Sequence, residues 1–240
     1  MDVMVRLAMS ATRDTMIAQS VNANNLANAS TPGFRSDLVS FSRTNDTNGE
    51  ASTPVNATDF RQGELQATGR SLDVAINGDG WMAVQAPDGT EAYSRRGDLK
   101  VNGLGQLTSG DGLPVMGDGG PISLPPFSEV EIGTDGTISI LPLGQSANAL
   151  AVVDRIRLVT FGGAPLAKGA DGLIRSTGGE PGVADAEVEL ISGMLEQSNV
   201  NPIEALVRMI DLSRQFETQI KMMQTAEQND ESMSTVLRVS

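Results

Sequence analysis

The sequence predicts an α+β fold: an antiparallel all-β central domain, with N- and C-terminal helices pairing as a coiled-coil stalk. Three features of the 240 residues carry this expectation. Residues 2 to 29 contain neither Pro nor Gly, residues 71 to 190 fall into short alternating apolar runs between Gly-containing turns, and from Met209 an apolar series advances in steps of three and four.

The first segment reads as one helix, since nothing in it breaks the backbone pattern. Its apolar face is thin. Val3, Leu7, Ile17 and Val21 keep a three-to-four spacing, Ser10 and Asp14 interrupt it, and Ala8, Ala11 and Ala18 lie beside it. Such a helix is marginal alone and needs a partner. It ends in "NANNLANASTPGFR", residues 22 to 35, with four asparagines in seven positions before Pro32 and Gly33. Two readings stand. Asn suits a fraying helix end, because it accepts left-handed backbone and bonds its own main chain. Uncharged carboxamides, each donor and acceptor, also suit a desolvated polar contact between chains, where ions are costly.

Residues 31 to 70 are rich in Ser, Thr, Asn, Pro and Gly without a sustained period, and read as an extended linker. Beyond it, "LDVAI", "WMAVQ", "EAYSR", "PISL", "EVEI", "TISI", "RIRLVTF" and "AEVEL" fit short strands. Asn77-Gly78, Asp88-Gly89, Asp111-Gly112, Asp135-Gly136 and Asp171-Gly172 punctuate them as turns. No stretch is suited to a helical crossover, so the sheets are expected to be antiparallel.

The last segment is the clearest. Asn201 is placed as N-cap, Pro202 at the first helical position and Glu204 at the third. Met209, Leu212, Phe216, Gln219, Met223, Ala226, Asp230, Met233 and Leu237 then follow, interrupted by two polar positions. A seam of this kind needs another helix, and the N-terminal segment supplies the simplest one. Two helices enclose little core, so further helices from neighbouring subunits are expected. The organisation is therefore residues 1–30, N-terminal helix; 31–70, linker; 71–190, β domain; and 191–240, C-terminal helix.

Composition narrows function. Cys and His are both absent, which removes disulfides, thiolate or imidazole metal sites, and triads built on either residue. A net charge of −13 argues against nucleic acid or anionic lipid as the main partner. No apolar run reaches a membrane span, and Arg6 and Arg13 break any signal-like core. Most Asp residues of the β region sit beside Gly, where turn chemistry explains them better than a carboxylate pair does. "NGDG" at 77–80 lacks calcium-loop ligands, having Ala75 and Ala86 where they are needed. No catalytic residue, cofactor or metal is expected, and the rival from another class is a secreted β-domain enzyme acting on a polysaccharide.

Three blocks together resemble the flagellar rod and hook family of bacterial axial proteins. They are "ANNLANASTPGFR", "RSLDVAINGDGWMAVQAPDGTEAYSRRGDLKVNGLGQLTSGDGLPVMG" at 70–117, and "ISGMLEQSNVNPIEALVRMIDLSRQFETQIKMMQTAEQNDESM" at 191–233. The resemblance spans essentially the whole chain. Length, the Met-Asp start and Trp81 in "GDGWMAVQ" look most like a proximal-rod subunit, a distal-rod subunit being the alternative.

What the resemblance implies is a structural, non-enzymatic subunit of the basal body. Such subunits leave the cytoplasm through the flagellum's type III export apparatus, without a cleaved signal peptide. They assemble helically within the periplasm, with proximal and distal rod proteins and copies of themselves as partners. Terminal helices form an inner coiled-coil layer, and the rod carries motor torque to the hook. On this chain the implied subunit-interface residues are Leu7, Ala11, Val21, Asn24, Asn25, Leu26, Asn28, Pro32, Gly33 and Phe34 from the N-terminal part. From the C-terminal part they are Asn199, Asn201, Met209, Leu212, Phe216, Ile220, Met223, Met233 and Leu237.

Overall fold

A computed structural model describes residues 2–46, 49–144 and 150–239. The chain forms two compact units that alternate along the sequence: one from the segments ending at Ala29, Ser36–Asp59 and those from Val200 on, the other from Ser30–Arg35 and Phe60–Asn199.

The first unit holds two helices and a hairpin. Helix α1 spans Asp2–Ala27 and α2 spans Pro202–Val239, the latter about 57 Å long at 1.5 Å per residue. Asn201 caps α2 as expected, its Oδ1 accepting the amides of Ile203 at 3.0 Å and Glu204 at 3.3 Å. The helices pack antiparallel. Gln219 Nε2 donates to Thr15 Oγ1 at 2.9 Å, and Asn22 Nδ2 donates to the Ala205 carbonyl at 2.8 Å.

The less exposed row of α2 is Ala205, Met209, Leu212, Phe216, Gln219, Met223 and Ala226, the spacing the sequence gives. The corresponding row of α1 is Ala8, Ala11, Thr15, Ala18, Asn22 and Asn25, small and polar, with Thr15 and Asn22 buried. Small side chains let the larger ones of α2 approach. Leu7, which hydrophobicity alone would place in this contact, is 51% exposed.

The stretch read as an extended linker contains regular structure. Strands β1 (Asp37–Asp46) and β2 (Gly49–Thr58) pair antiparallel from Asp37 opposite Thr58. Their Ser, Thr and Val content favours strand without producing an apolar run, which is why periodicity alone does not reveal them. Pro54 is tolerated because each strand of a two-stranded ribbon is an edge.

The second unit is all β. Its largest sheet has six strands in the order Leu166–Lys168, Ile174–Ser176, Glu91–Ser94, Trp81–Gln85, Leu158–Thr160 and Val183–Ala184. Phe127–Ile132, Thr137–Pro142 and Ala151–Arg155 form a three-stranded sheet. Shorter pairs include β3 (Leu65–Ala67) with Met194–Glu196 and β4 (Val74–Asn77) with Glu189–Ser192. The unit thus begins before residue 71 and ends after 190, and the strands Glu189–Ser192 and Met194–Glu196, joined by a turn at Gly193, stand where the sequence places the start of the terminal helix.

"WMAVQ" shows why these runs are apolar throughout. Successive side chains point to opposite faces. Met82 and Val84 enter the aliphatic core with Leu99, Leu107, Ile122, Ile138 and Ile156, while Trp81 and Ala83 join Tyr93, Val159 and Ile174 in a second cluster. All five expected turn glycines have positive φ, from 79° to 86°.

Two of these turns repeat Asp-Gly-Thr. Asp88 accepts the Thr90 amide at 2.9 Å and its hydroxyl at 2.6 Å, and Asp135 accepts the same groups of Thr137 at 3.0 and 2.6 Å. The hydroxyl bond, then the amide bond, holds each carboxyl below its ordinary value. A carboxylate with a lowered folded value favours the folded state above the unfolded value, and that contribution is lost as pH falls through the lowered one. The urea midpoint is therefore expected to drop between neutral pH and about pH 3, by less in the Thr90→Val, Thr137→Val double variant.

Candidate functional site

The asparagine-rich end of α1 is bonded to its own chain. Asn25 Nδ2 donates to the Asp37 carbonyl and its Oδ1 accepts the Asp37 amide, both at 2.8 Å, so one side chain acts as a strand partner where β1 begins. Asn28 closes the helix, its amide and its Nδ2 both meeting the Asn24 carbonyl, at 3.1 and 3.0 Å. Asn22, absent from the residues singled out by the sequence, is the one that reaches α2.

Past the helix, the chain enters the second unit. Gly33 has φ +70°, and its amide donates to the Glu196 carbonyl at 2.8 Å. A β-carbon there would lie 2.5 Å from the carbonyl carbon and oxygen of Arg95, which only glycine avoids. Phe34 lies under Lys168, whose Nζ is 3.9 Å from the ring centre and donates to the Arg35 carbonyl at 2.9 Å. The Phe34 carbonyl accepts the Asn199 amide at 3.3 Å, and Asn199 Nδ2 donates to the Arg61 carbonyl at 3.1 Å.

These contacts surround a buried ionic knot. Glu196 is 1% exposed, Arg35 2% and Arg95 6%. Arg35 Nη2 approaches Glu196 Oε1 to 2.5 Å, charge against charge without an aligned hydrogen bond. The same oxygen accepts the Gly63 amide at 2.9 Å, and Oε2 accepts Arg95 Nη1 at 3.2 Å. Arg95 also donates to the carbonyls of Gly80 at 2.8 Å and Gly78 at 2.5 Å. Its guanidinium carbon is 5.2 Å from the Trp81 ring centre, and that of Arg35 is 5.9 Å away. Burial pulls Arg95 below its ordinary value, with Glu196 opposing, and a guanidinium stays charged at neutral pH regardless.

One carboxylate thus joins the N-terminal signature, the central sheet and the C-terminal segment. Sequence reasoning missed it, although the signal exists: Glu196 is the one charge between Leu190 and Ile203.

The other singled-out residues divide by environment. Ala11, Val21, Leu26, Met209, Phe216, Ile220 and Met223 are half-buried and Leu212 is buried, while Leu7, Asn24 and Asn201 are exposed. Pro32, Gly33, Phe34 and Asn199 are half-buried in the second unit. The side chains of Met233 and Leu237 lie outside the described residues.

The second unit also has a groove lined by Phe60, Trp81, Phe161 and Leu166, with Asp79 and Asp185 as its carboxylates. Asp185 is taken up by Thr160 Oγ1 at 3.0 Å and the Glu187 amide at 2.9 Å, a turn-forming role. Among the described residues no group of three acidic side chains could hold a metal ion, and no helix is long and apolar enough to cross a membrane.

Residues 6–35, 75–140 and 191–236 match family models described as flagella basal body rod protein, flagellar hook protein FlgE/F/G D1 domain, and flagellar basal body rod FlgEFG protein C-terminal. Over the full length of both chains, the sequence is 42% identical to the flagellar basal-body rod protein FlgF of Salmonella typhimurium. The chain belongs to the flagellar basal-body rod protein family. Escherichia coli FlgF is 41% identical, again over both full lengths. FlgG of Buchnera aphidicola subsp. Schizaphis graminum is 33% identical over 91% of this chain and 93% of its own. The chain is therefore FlgF-like within the rod family. These relatives are structural rod proteins, and nothing among them supports the polysaccharide-acting enzyme.

Proposed function

We propose that this chain is a structural subunit of the flagellar rod that assembles through its terminal helices and transmits motor torque across the periplasm to the hook. The observation that carries this is the composition of the first unit. Two long helices meet through a thin row of Ala, Thr and Asn against Leu, Phe and Met, and leave Leu7, Met9, Met16, Ile203 and Ile210 exposed. Such a pair encloses little core, and its outward apolar side chains are covered once neighbours add further helices.

In this reading α1 and α2 pair as a coiled coil in the inner layer of the rod. Unlike faces of successive subunits meet, so the assembly climbs helically instead of closing. The full-length likeness to FlgF supports a proximal position over a distal one. Partners are the other rod proteins and copies of this chain. Export proceeds through the flagellar type III apparatus, after which the chain joins the rod in the periplasm. The interface includes Leu7, Ala11, Val21, Leu26, Ile220, Met223, Met233 and Leu237, with Asn24 and Asn28 as uncharged bonding groups.

Deleting the last 30 residues tests this reading. The β unit is expected to keep its cooperative unfolding, while motility and recovery of the chain in isolated basal bodies are lost. Rods of normal length and composition built from the truncated chain would reject assembly through α2.

A further inference from the structure

Helix α2 has two apolar faces, and only one has a helix against it. Opposite the row that meets α1, Ile203, Val207 and Ile210 follow at intervals of four and three, with Leu206 beside them, all between 51 and 73% exposed. At about 100° per residue this row lies roughly 150° around the helix from the covered one. It is short. The same spacing continues as Arg214, Glu217 and Lys221, so the apolar part occupies only the first two or so turns. Glu204 and Asp211, seven residues apart, edge it on the Val207 side.

Helix α1 carries a matching outer row. Met9, Arg13, Met16, Ser20, Ala23 and Ala27 alternate steps of four and three, and every one is exposed. Met9 and Met16 are 59 and 56% exposed, with Arg13 between them. The row faces away from the Thr15 and Asn22 side that packs on α2, so within one chain the two outer rows do not meet.

We propose that the outer row of α2 receives the outer row of α1 from a second copy of this chain. Met9 and Met16 lie along Ile203, Val207 and Ile210, and Arg13 faces Glu204 and Asp211. The proposal rests on the rod-subunit reading and names a face which that reading leaves open. Three features favour this occupant. Both rows have the three-to-four spacing of helix-on-helix packing. The charges are complementary, a cation centred in one row and two carboxylates edging the other. Unbranched Met adapts to a partner's shape, which suits a β-branched Ile and Val row. The contact joins unlike faces, so each copy keeps a free face for the next.

The chain has no cysteine, which makes the test clean. A helical climb keeps α1 of one copy antiparallel to α2 of the next, so Met9 lies nearest Ile210. Two full-length variants, Met9→Cys and Ile210→Cys, are expressed together in cells lacking their own copy, and isolated basal bodies are oxidised. A mixed disulfide dimer in large excess over either homodimer is expected. It is expected to vanish when Arg13→Glu is added, and to return when Glu204→Arg and Asp211→Arg are added to the partner. Equal cross-linking when Gln215→Cys replaces Ile210→Cys would overturn the proposal, as would failure of the charge reversal to restore the dimer. Assembled rods without a mixed dimer would also overturn it while leaving the rod-subunit reading intact. Absence of this chain from rods even without substitutions would instead remove that reading.

Discussion

Replacing Glu196 with alanine is expected to destabilise the β unit by about 3–5 kcal/mol, the range for breaking a buried ion pair from one side. The reason is what stays behind. Arg35 and Arg95 are both buried, and without the carboxylate two guanidinium groups face each other with no counter-charge. The Gly63 amide also loses its acceptor. Glu196→Gln keeps an oxygen for that amide but not the charge, so it is expected to fall between alanine and the native residue. The urea midpoint should shift with an unchanged slope, because the surface exposed on unfolding is the same. A loss below about 1 kcal/mol, the range of exposed salt bridges, would mean that the knot adds nothing beyond a surface pair.

Gly33→Ala is expected to be the second costly change. A left-handed conformation costs a non-glycine residue about 1–2 kcal/mol, and here the new methyl would also lie 2.5 Å from backbone atoms of Arg95. The Arg95 backbone, directly after the strand Glu91–Ser94 and anchored by its buried guanidinium, cannot step aside as a flexible side chain can, so the total should exceed about 2 kcal/mol. Gly69 is the internal control. Its φ is +72°, but a β-carbon there meets nothing within 4 Å. Gly69→Ala is therefore expected to show the conformational cost alone, and the difference in unfolding midpoint between the two variants measures the crowding. Equal effects at both positions would show that Gly33 is needed for its φ only.

Both predictions concern the place where "TPGFR" enters the β unit. Fixing Gly33, Arg35 and Glu196 to one another brings the incoming and outgoing segments together beside the central sheet.

Legibility in the sequence followed the range of the interaction. Turns such as Asp88-Gly89-Thr90 and the Asn201 cap are set by residues two or three apart, and each is found where the pattern puts it. The inward row of α2 was legible for the same reason, a repeat within one helix. Its partner row on α1 was not, because Ala8, Ala11, Thr15, Ala18 and Asn22 carry little hydrophobic signal and are chosen for size and for bonds to a helix far along the chain. The hairpin of Asp37–Thr58 was hidden by polar strands. The knot was hidden by distance, since Arg35, Arg95 and Glu196 come together only when the two ends of the β unit close.

The asparagine cluster is clearer than composition made it. Asn25 and Asn22 fasten α1 to β1 and α2 of the same chain, and Asn28 closes the helix on the Asn24 carbonyl, while the exposed Asn24 side chain is the one proposed to face a neighbour.

The most direct test of the whole account is a density map of the intact basal body in which this chain is traced. The outer rows of α1 and α2 are expected to be covered by helices of adjacent subunits, with the Arg35–Glu196–Arg95 knot intact within the β unit. Helices left bare of neighbours, with subunits held together by their β units alone, would contradict it.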